Sequence, residues 1–420
     1  MKPKILTTLP TYTRHLFLAD VIAGVTVAMV ALPLSIAIAI ASGANPATGL
    51  VTAVVAVVLI PVLGGSRVQI GGPTGAFIVV VYGVIATHGF DGLVLATLMA
   101  GVILLVAAFL RAGALVAHVP EAVINGFTIG IAVIIATSQL KDLLGLDLAN
   151  VPADFLPKVS ALISVSDSFN AYALGVGLAT AAIIIAMRKC APRFPGLIVA
   201  VAITSIAVAV LDLPVDTILS RFGALPDSLP MPVLPVITLE RLTELLPSAF
   251  VIAFLAGVES LLSAIVADRL ISGNYRPNAE LLAQGAANIG SALFGGLPAT
   301  GAIARTATNV RAGGKTPVSG IVHALAVLFL MMIAAPLAGH LALPALAALL
   351  IITAWNMSEP DKWGQYLKGE MSDRILILLT LVLTILADLT VAIGVGVALG
   401  LALRLHRRNA RPPDWTPRDQ

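Results

Sequence analysis

A stretch of glycine, proline and threonine, GGPTGA at Gly71 to Ala76, returns 226 positions later within GGLPATGAIAR at Gly295 to Arg305. Both copies interrupt long apolar runs. Irregular backbone at membrane depth leaves amides and carbonyls without water, so it persists only where it lines a cavity or is buried in protein. Two such breaks at corresponding places in two halves of a chain point to one shared central site, the arrangement found in secondary transporters. Arg305 then places a fixed positive charge beside that site. The competing reading, two coincidental glycine-rich turns, treats each copy as ordinary loop punctuation.

Composition fixes the solvent. Hydrophobic residues are 58% of the 420 and charged residues 11%, with mean hydropathy +1.00, which describes a polytopic membrane protein. Aromatics are only 5%, and the apolar runs are filled by Ala, Gly and Val, so helices can approach closely through small side chains. A formal net charge of +3 gives no support for nucleic-acid binding. Cys190 is the single cysteine, which rules out an intrachain disulfide and a cysteine metal site. Lys2, Lys4 and Arg14 lie among Pro3 and Pro10 with no apolar core and cleavage site after them, so no cleavable signal peptide is expected. The segment Leu6 to Asp20 reads as lying along the membrane surface before the first span.

Apolar runs punctuated by glycine, proline and charge give about fourteen spans. They fall near residues 21–41, 47–64, 74–87, 92–111, 119–138, 172–187, 196–211, 246–267, 282–295, 301–311, 318–337, 341–355, 374–387 and 389–405. Runs 74–87 and 301–311 are too short to cross a bilayer alone and read as half-helices, each preceded by an extended stretch. An even number of spans puts Lys2, Lys4 and Arg14 on the same side as Arg404, Arg407, Arg408 and Arg411. The same map places Arg111, the Arg188, Lys189 and Arg193 cluster, Arg269, Arg276, Arg311, Lys315, Lys362, Lys368 and Arg374 inside, and the aspartate-rich loops 139–171 and 212–245 outside. Splitting near residue 230 leaves seven spans per half; an odd number forces the halves into opposite orientations, an inverted repeat. The expected organisation is a single transport domain over 1–420, with repeats 1–229 and 230–406 and a cytoplasmic tail 407–420. At the same offset Pro33 of the first span aligns with Glu259 of the eighth, one interrupting its helix by geometry and the other by charge.

Glu259 stands in an apolar run with no other ionisable group for about ten residues on either side. A charged side chain at that depth costs about 2.5–3.5 kcal/mol on insertion scales, so function is the default reading and a proton carrier the candidate role, against a structural carboxylate bonded to a neighbouring helix. Ser260 and, one turn on, Ser263 could add oxygen ligands for a coupling ion, although serines often bond back to their own helix. Gly301 and Ala302 begin a half-helix whose backbone N–H groups and positive dipole end suit an anion, and Thr74, Gly75 and Ala76 supply mirrored donors. Arg305 has three open roles: contact with the anion, a positive field, or a pair with Glu259. His118, Glu121 and Asn125 around Pro120 read as a capping and interhelical network; His323, Gln284 and Asn288 as helix-packing groups; Asp388 as a turn or cap residue; His88 as interfacial.

At these residues the chain resembles the SulP anion transporters, the solute carrier 26 family. The matching stretches are GGSRVQIGGPTGAF at Gly64 to Phe77, PEAVINGFTIG at Pro120 to Gly130, GVESLLSAIVAD at Gly257 to Asp268, QGAANIGSALFGGLP at Gln284 to Pro298 and ARTATNVRAGGKTPVSG at Ala304 to Gly320. The resemblance implies an all-α, UraA-like fold of seven-plus-seven inverted repeats. Spans 1–4 and 8–11 would form a core, spans 5–7 and 12–14 a gate, with substrate between half-helices 3 and 10. Carried over, Thr74, Gly75, Ala76, Gly301, Ala302 and Ile303 frame the anion, Arg305 supplies positive field and Glu259 takes the coupling-ion position. A glutamate there looks more like the proton-coupled members than the sodium-coupled bicarbonate members. Two stretches, AIARTATNVRAG and AWNMSE at Ala354 to Glu359, look closest to bacterial C4-dicarboxylate carriers. Family members usually continue into a cytoplasmic STAS domain, and here only about fifteen polar residues follow the last span.

The expected function is therefore secondary active, proton-coupled symport of a small anion, a C4-dicarboxylate such as fumarate, by elevator-like movement of core against gate. The alternative is a sodium-coupled bicarbonate or sulfate carrier, with a nucleobase permease on the same fold ranked behind. An enzyme is not expected, since HExxH, paired metal ligands and a GxSxG turn are lacking. No cofactor is expected beyond a coupling proton or sodium ion. The expected partners are the anion, the lipid bilayer and a second copy of the chain, and the expected location a bacterial inner membrane with both termini cytoplasmic.

Overall fold

The structure, a computed structural model, describes residues 2–114, 120–148, 151–191, 194–387 and 389–406. Thirteen principal helices organise it: α1 (Arg14–Ala41), α2 (Pro46–Leu63), α3 (Ile78–Phe109), α4 (Glu121–Leu144), α5 (Ala171–Cys190), α6 (Gly196–Val210), α7 (Leu239–Ile271), α8 (Pro277–Leu293), α9 (Ile303–Arg311), α10 (Val318–Gly339), α11 (Leu343–Met357), α12 (Met371–Leu386) and α13 (Leu389–His406). Capping is local and legible. Thr13 accepts from the Leu16 amide at the head of α1, Asn45 from Ala47 at the head of α2 where Pro46 occupies the first turn, and Asn170 from Tyr172 and Ala173 at the head of α5. Gly145, at φ 61°, ends α4 in the left-handed conformation.

Inside α3, Gly89 has φ 70° and ψ 178°, a conformation that breaks the helix in two. The part before Gly89 is the first half-helix, opened by a 3₁₀ turn at Gly75–Phe77; α9, nine residues long, is the second. Counting α3 as two gives seven spanning or half-spanning segments before residue 211 and seven after residue 238. Among the described residues, seven helical stretches are long and apolar enough to cross a membrane on their own; others, such as α6, are shorter.

Packing divides these segments as the inverted repeat requires. One block joins α1, α2 and α3 to α7, α8, α9 and α10, and the other joins α4, α5 and α6 to α11, α12 and α13. Within the first block α3 and α8 touch through glycines: a Cβ on Gly101 would lie 2.8 Å from the Gly285 carbonyl oxygen, and one on Gly285 2.8 Å from the Gly101 oxygen. Any side chain at either position would force apart the axes that hold the block together.

Helices overrun the apolar runs at several ends. α1 starts at Arg14, so Leu6 to Asp20 is not one surface segment: a short helix, Ile5–Thr8, and a 3₁₀ turn, Leu9–Thr11, precede α1, and Asp20 is fully buried within it. The loop expected over 139–171 contains a helix at Phe155–Ser164, and that over 212–245 one at Ile218–Phe222. His118, Arg193, Asp388 and the tail 407–420 with Arg407, Arg408 and Arg411 lie outside the described residues.

Candidate functional site

The two glycine-rich stretches meet. Gly71–Gly72 (β1) and Thr300–Gly301 (β2) pair antiparallel, with Gly71 opposite Gly301 and Gly72 opposite Thr300, and the Ala302 amide donates to the Ile70 carbonyl at 2.8 Å. This short ladder satisfies backbone groups that would otherwise be stranded in the interior. From it the chain runs into two helix starts, the 3₁₀ turn at Gly75 and α9 at Ile303. First-turn amides of a helix have no intrahelical acceptor and attract negative charge, so two donor sets and two positive dipole ends converge on one point.

Glu259, midway along α7, reaches the same point. Its Oε2 accepts from the Thr74 hydroxyl at 2.9 Å, tying the helix to the first half-helix. Ser260 and Ser263, both fully buried, are turned elsewhere. Ser260 Oγ accepts from the Gly301 amide at 2.8 Å and lies 2.8 Å from Thr300 Oγ1, which donates to the Ala256 carbonyl at 3.0 Å. Ser263 Oγ sits 3.1 Å from Thr306 Oγ1, the acceptor for the Ile70 amide. These hydroxyls fasten α7 to β2 and α9.

Arg305 is 2% exposed. Its guanidinium donates to the Gly71 carbonyl at 3.4 Å and to Ser35 Oγ at 3.2 Å, bridging α9 to β1 and α1. Of the three open roles, pairing with Glu259 is not what the structure shows: no ion pair joins them among the described residues. The guanidinium lies directly beneath Gly72, at φ 137°, where a Cβ would come within 2.2 Å of Nη1. Only glycine leaves room there.

A cavity of 1370 Å³ opens onto this point between the two blocks. Thr74, Gly75, Glu259, Gly301, Ala302, Ile303 and Arg305 all line it, whereas Ala76, Ser260 and Ser263 do not. Ala76 is 3% exposed and packs behind the wall. Ile303, 43% exposed, presents its side chain to the open space. The same lining carries the charged residues Arg188, Arg311, Lys362, Glu121 and Glu359. Glu121 and Asn125, read from the sequence as part of a capping and interhelical network, line this cavity too. Ser35, Gly72 and Asn356 were not singled out in the sequence, and Arg188, 3.2 Å from Asn356, was read there only as a marker of topology. Ser35, two residues after the aligned Pro33, was the one with a signal to follow.

Comparison with known proteins agrees with this architecture. Residues 17–380 match the sulfate permease family. YvdB of Bacillus subtilis (strain 168), provisionally assigned as a sulfate transporter, is 41% identical over 374 residues, 89% of this chain and 70% of that protein. The bicarbonate transporter BicA of Picosynechococcus sp. is 31% identical over 340 residues, 79% of this chain and 60% of BicA. The solved transmembrane domain of a cyanobacterial BicA superposes with TM-score 0.81 at 30% identity, covering 93% of this chain and 98% of that one. SLC26A9, at 18% identity, shares the fold with TM-score 0.87 over 97% of this chain and 68% of its own.

Proposed function

The chain belongs to the sulfate permease family, a family of membrane anion transporters, and on that premise we propose that it carries a small inorganic oxyanion, sulfate or bicarbonate, in symport with a proton. The observation that carries this reading is the convergence of the helix starts at Gly75 and Ile303 on one cavity wall, with Arg305 beneath and Glu259 at its side. Backbone donors and a buried guanidinium form a site for compact negative charge. The related proteins named above are called sulfate and bicarbonate transporters, which moves the substrate reading from fumarate to an inorganic oxyanion.

Glu259 supplies the coupling step in this proposal. Its carboxylate borders the anion's place, so protonation removes a repulsive charge as the anion arrives, and release of one favours release of the other. The hydroxyls that a sodium ion would need, Ser260 and Ser263, are already engaged with Thr300 and Thr306, which favours the proton over sodium. The core would slide against the gate, exposing the cavity alternately to the two sides, with both termini cytoplasmic.

The test is uptake of radiolabelled sulfate, bicarbonate and fumarate into proteoliposomes under an imposed proton gradient or an imposed sodium gradient. Sulfate or bicarbonate accumulation driven by protons is the expected result. Accumulation driven only by sodium would overturn the coupling assignment, and uptake of fumarate alone would overturn the substrate.

A further inference from the structure

Two buried carboxylates take no part in the site described above. Asp20 on α1 and Glu280 on α8 are each fully buried, and no salt bridge reaches either among the described residues. Each instead draws its backbone donors from one irregular stretch. Asp20 accepts from the amides of Lys315 at 2.8 Å and Thr316 at 3.1 Å, from the Thr316 hydroxyl, and from Tyr12 at 3.1 Å. Glu280 accepts from the amides of Gly65 at 2.9 Å and Ser66 at 3.2 Å and from Gln284 Nε2 at 3.0 Å. The first stretch leads out of α9; the second leads into β1 and the first half-helix.

A chain of hydrogen bonds joins these two anchor points. Asn309 Nδ2, on α9, donates to the Val68 carbonyl at 2.9 Å and lies 2.8 Å from Ser319 Oγ, and Ser319 Oγ donates to the Thr316 carbonyl at 2.9 Å. The Ile70 amide donates to Thr306 at 3.1 Å in the same layer. At the opposite end of β2 the fastening is neutral: Asn288 exchanges two bonds with Ala299, each 2.9 Å, and Thr52 receives the Leu297 amide. Bonds to an ionised acceptor are roughly twice as strong as neutral ones. Both carboxylate anchors sit at the end of the core that carries Arg276 and Lys315, Glu280 on the stretch that leads into the first half-helix and Asp20 on the stretch that leads out of the second.

We infer that Asp20 and Glu280 are positioning residues for the anion site, holding the two half-helices in register, Glu280 from the stretch ahead of the first and Asp20 from the stretch behind the second. The inference rests on the transport reading where it speaks of anion affinity, and on geometry alone where it speaks of register. Neither side chain touches the cavity. Each acts through backbone: Glu280 through Gly65 and Ser66 to β1, Asp20 through Thr316 to α9.

The experiment pairs two readouts on full-length protein: the dissociation constant for radiolabelled sulfate and bicarbonate, and amide hydrogen exchange over residues 64–77 and 300–316. Asp20→Asn is expected to speed exchange in 303–316, and Glu280→Gln in 64–77. Each is expected to weaken anion binding about tenfold, the scale of one hydrogen bond to a charged group, while the saturated uptake rate stays within about twofold. Thr316→Val and Gln284→Met leave each carboxylate bonded to its backbone amides and carry the same test at about threefold, should a charge-removing variant fail to fold. Unchanged exchange in both segments would overturn the inference. So would exchange rising equally in α4 and α12, since that is general destabilisation. A wild-type protein binding neither anion would sink the transport reading, and exchange in the two segments would still decide the role of the carboxylates.

Discussion

Gly72→Ala tests whether the ladder and Arg305 form one unit. Gly72 sits at φ 137°, and an added Cβ would stand 2.2 Å from Arg305 Nη1 and 3.5 Å from Val57 Cγ2. Two costs arise. Holding an L-residue in that region of backbone space costs about 1–3 kcal/mol. Displacing the guanidinium also breaks its bonds to Gly71 at 3.4 Å and Ser35 at 3.2 Å; at these lengths each is worth about 1 kcal/mol. The sum, about 3–5 kcal/mol, is a large share of the ~5–15 kcal/mol that stabilises a typical fold. The assay is thermal unfolding in detergent, followed by size exclusion, with Gly295→Ala as control: Gly295 also has positive φ, 67°, but nothing within 4 Å of its Cβ. Gly72→Ala should fall well below Gly295→Ala in midpoint temperature. Equal midpoints would mean that Arg305 adapts freely, and the packing argument would be wrong.

Glu259→Gln should preserve the fold, because an amide oxygen can still accept from Thr74, while removing the dependence of uptake on a proton gradient; wild-type gradient dependence in the mutant would refute the coupling role. Arg305→Gln should weaken anion binding by about 1–3 kcal/mol, the range for bonds to charged groups, and Arg305→Lys should be milder if field dominates. Lysine failing as badly as glutamine in the same titration would indicate a bidentate contact instead. Ala302→Leu should abolish binding in a monodisperse, stable protein, since Ala302 lines the cavity at the head of α9; affinity within about twofold of wild type would place the anion elsewhere.

The half-helices were legible because membrane depth is measured in residues: 74–87 and 301–311 are too short to span, and glycine and proline mark where they start. The antiparallel pairing of Gly71 with Gly301 was not, since it depends on where two segments far apart in sequence are carried by the helices between them. Helix ends were misjudged wherever a polar residue stays helical inside protein: α1 runs back to Arg14 past Asp20, and α7 from Leu239, ahead of its apolar stretch. Asp20 and Glu280 were passed over for the same reason. A carboxylate near the end of an apolar run looks interfacial, and their partners are hundreds of positions away, Thr316 for Asp20 and Gly65 for Glu280. Glu259, deep in its run, had no such innocent reading.

Arg305 and Glu259 ride on the same block yet do not neutralise each other by contact, and this sets the electrical character of any stroke the block makes. With Glu259 ionised and the site empty, the two formal charges cancel, and on the proposed cycle the core would move with no net charge from these residues. Bicarbonate accompanied by one proton keeps that cancellation, so its movement would be insensitive to membrane voltage. Sulfate with one proton leaves a single negative charge, worth about 2.3 kcal/mol per 100 mV of potential. On the proposed proton-coupled cycle, the identity of the cargo would decide whether the loaded protein draws current.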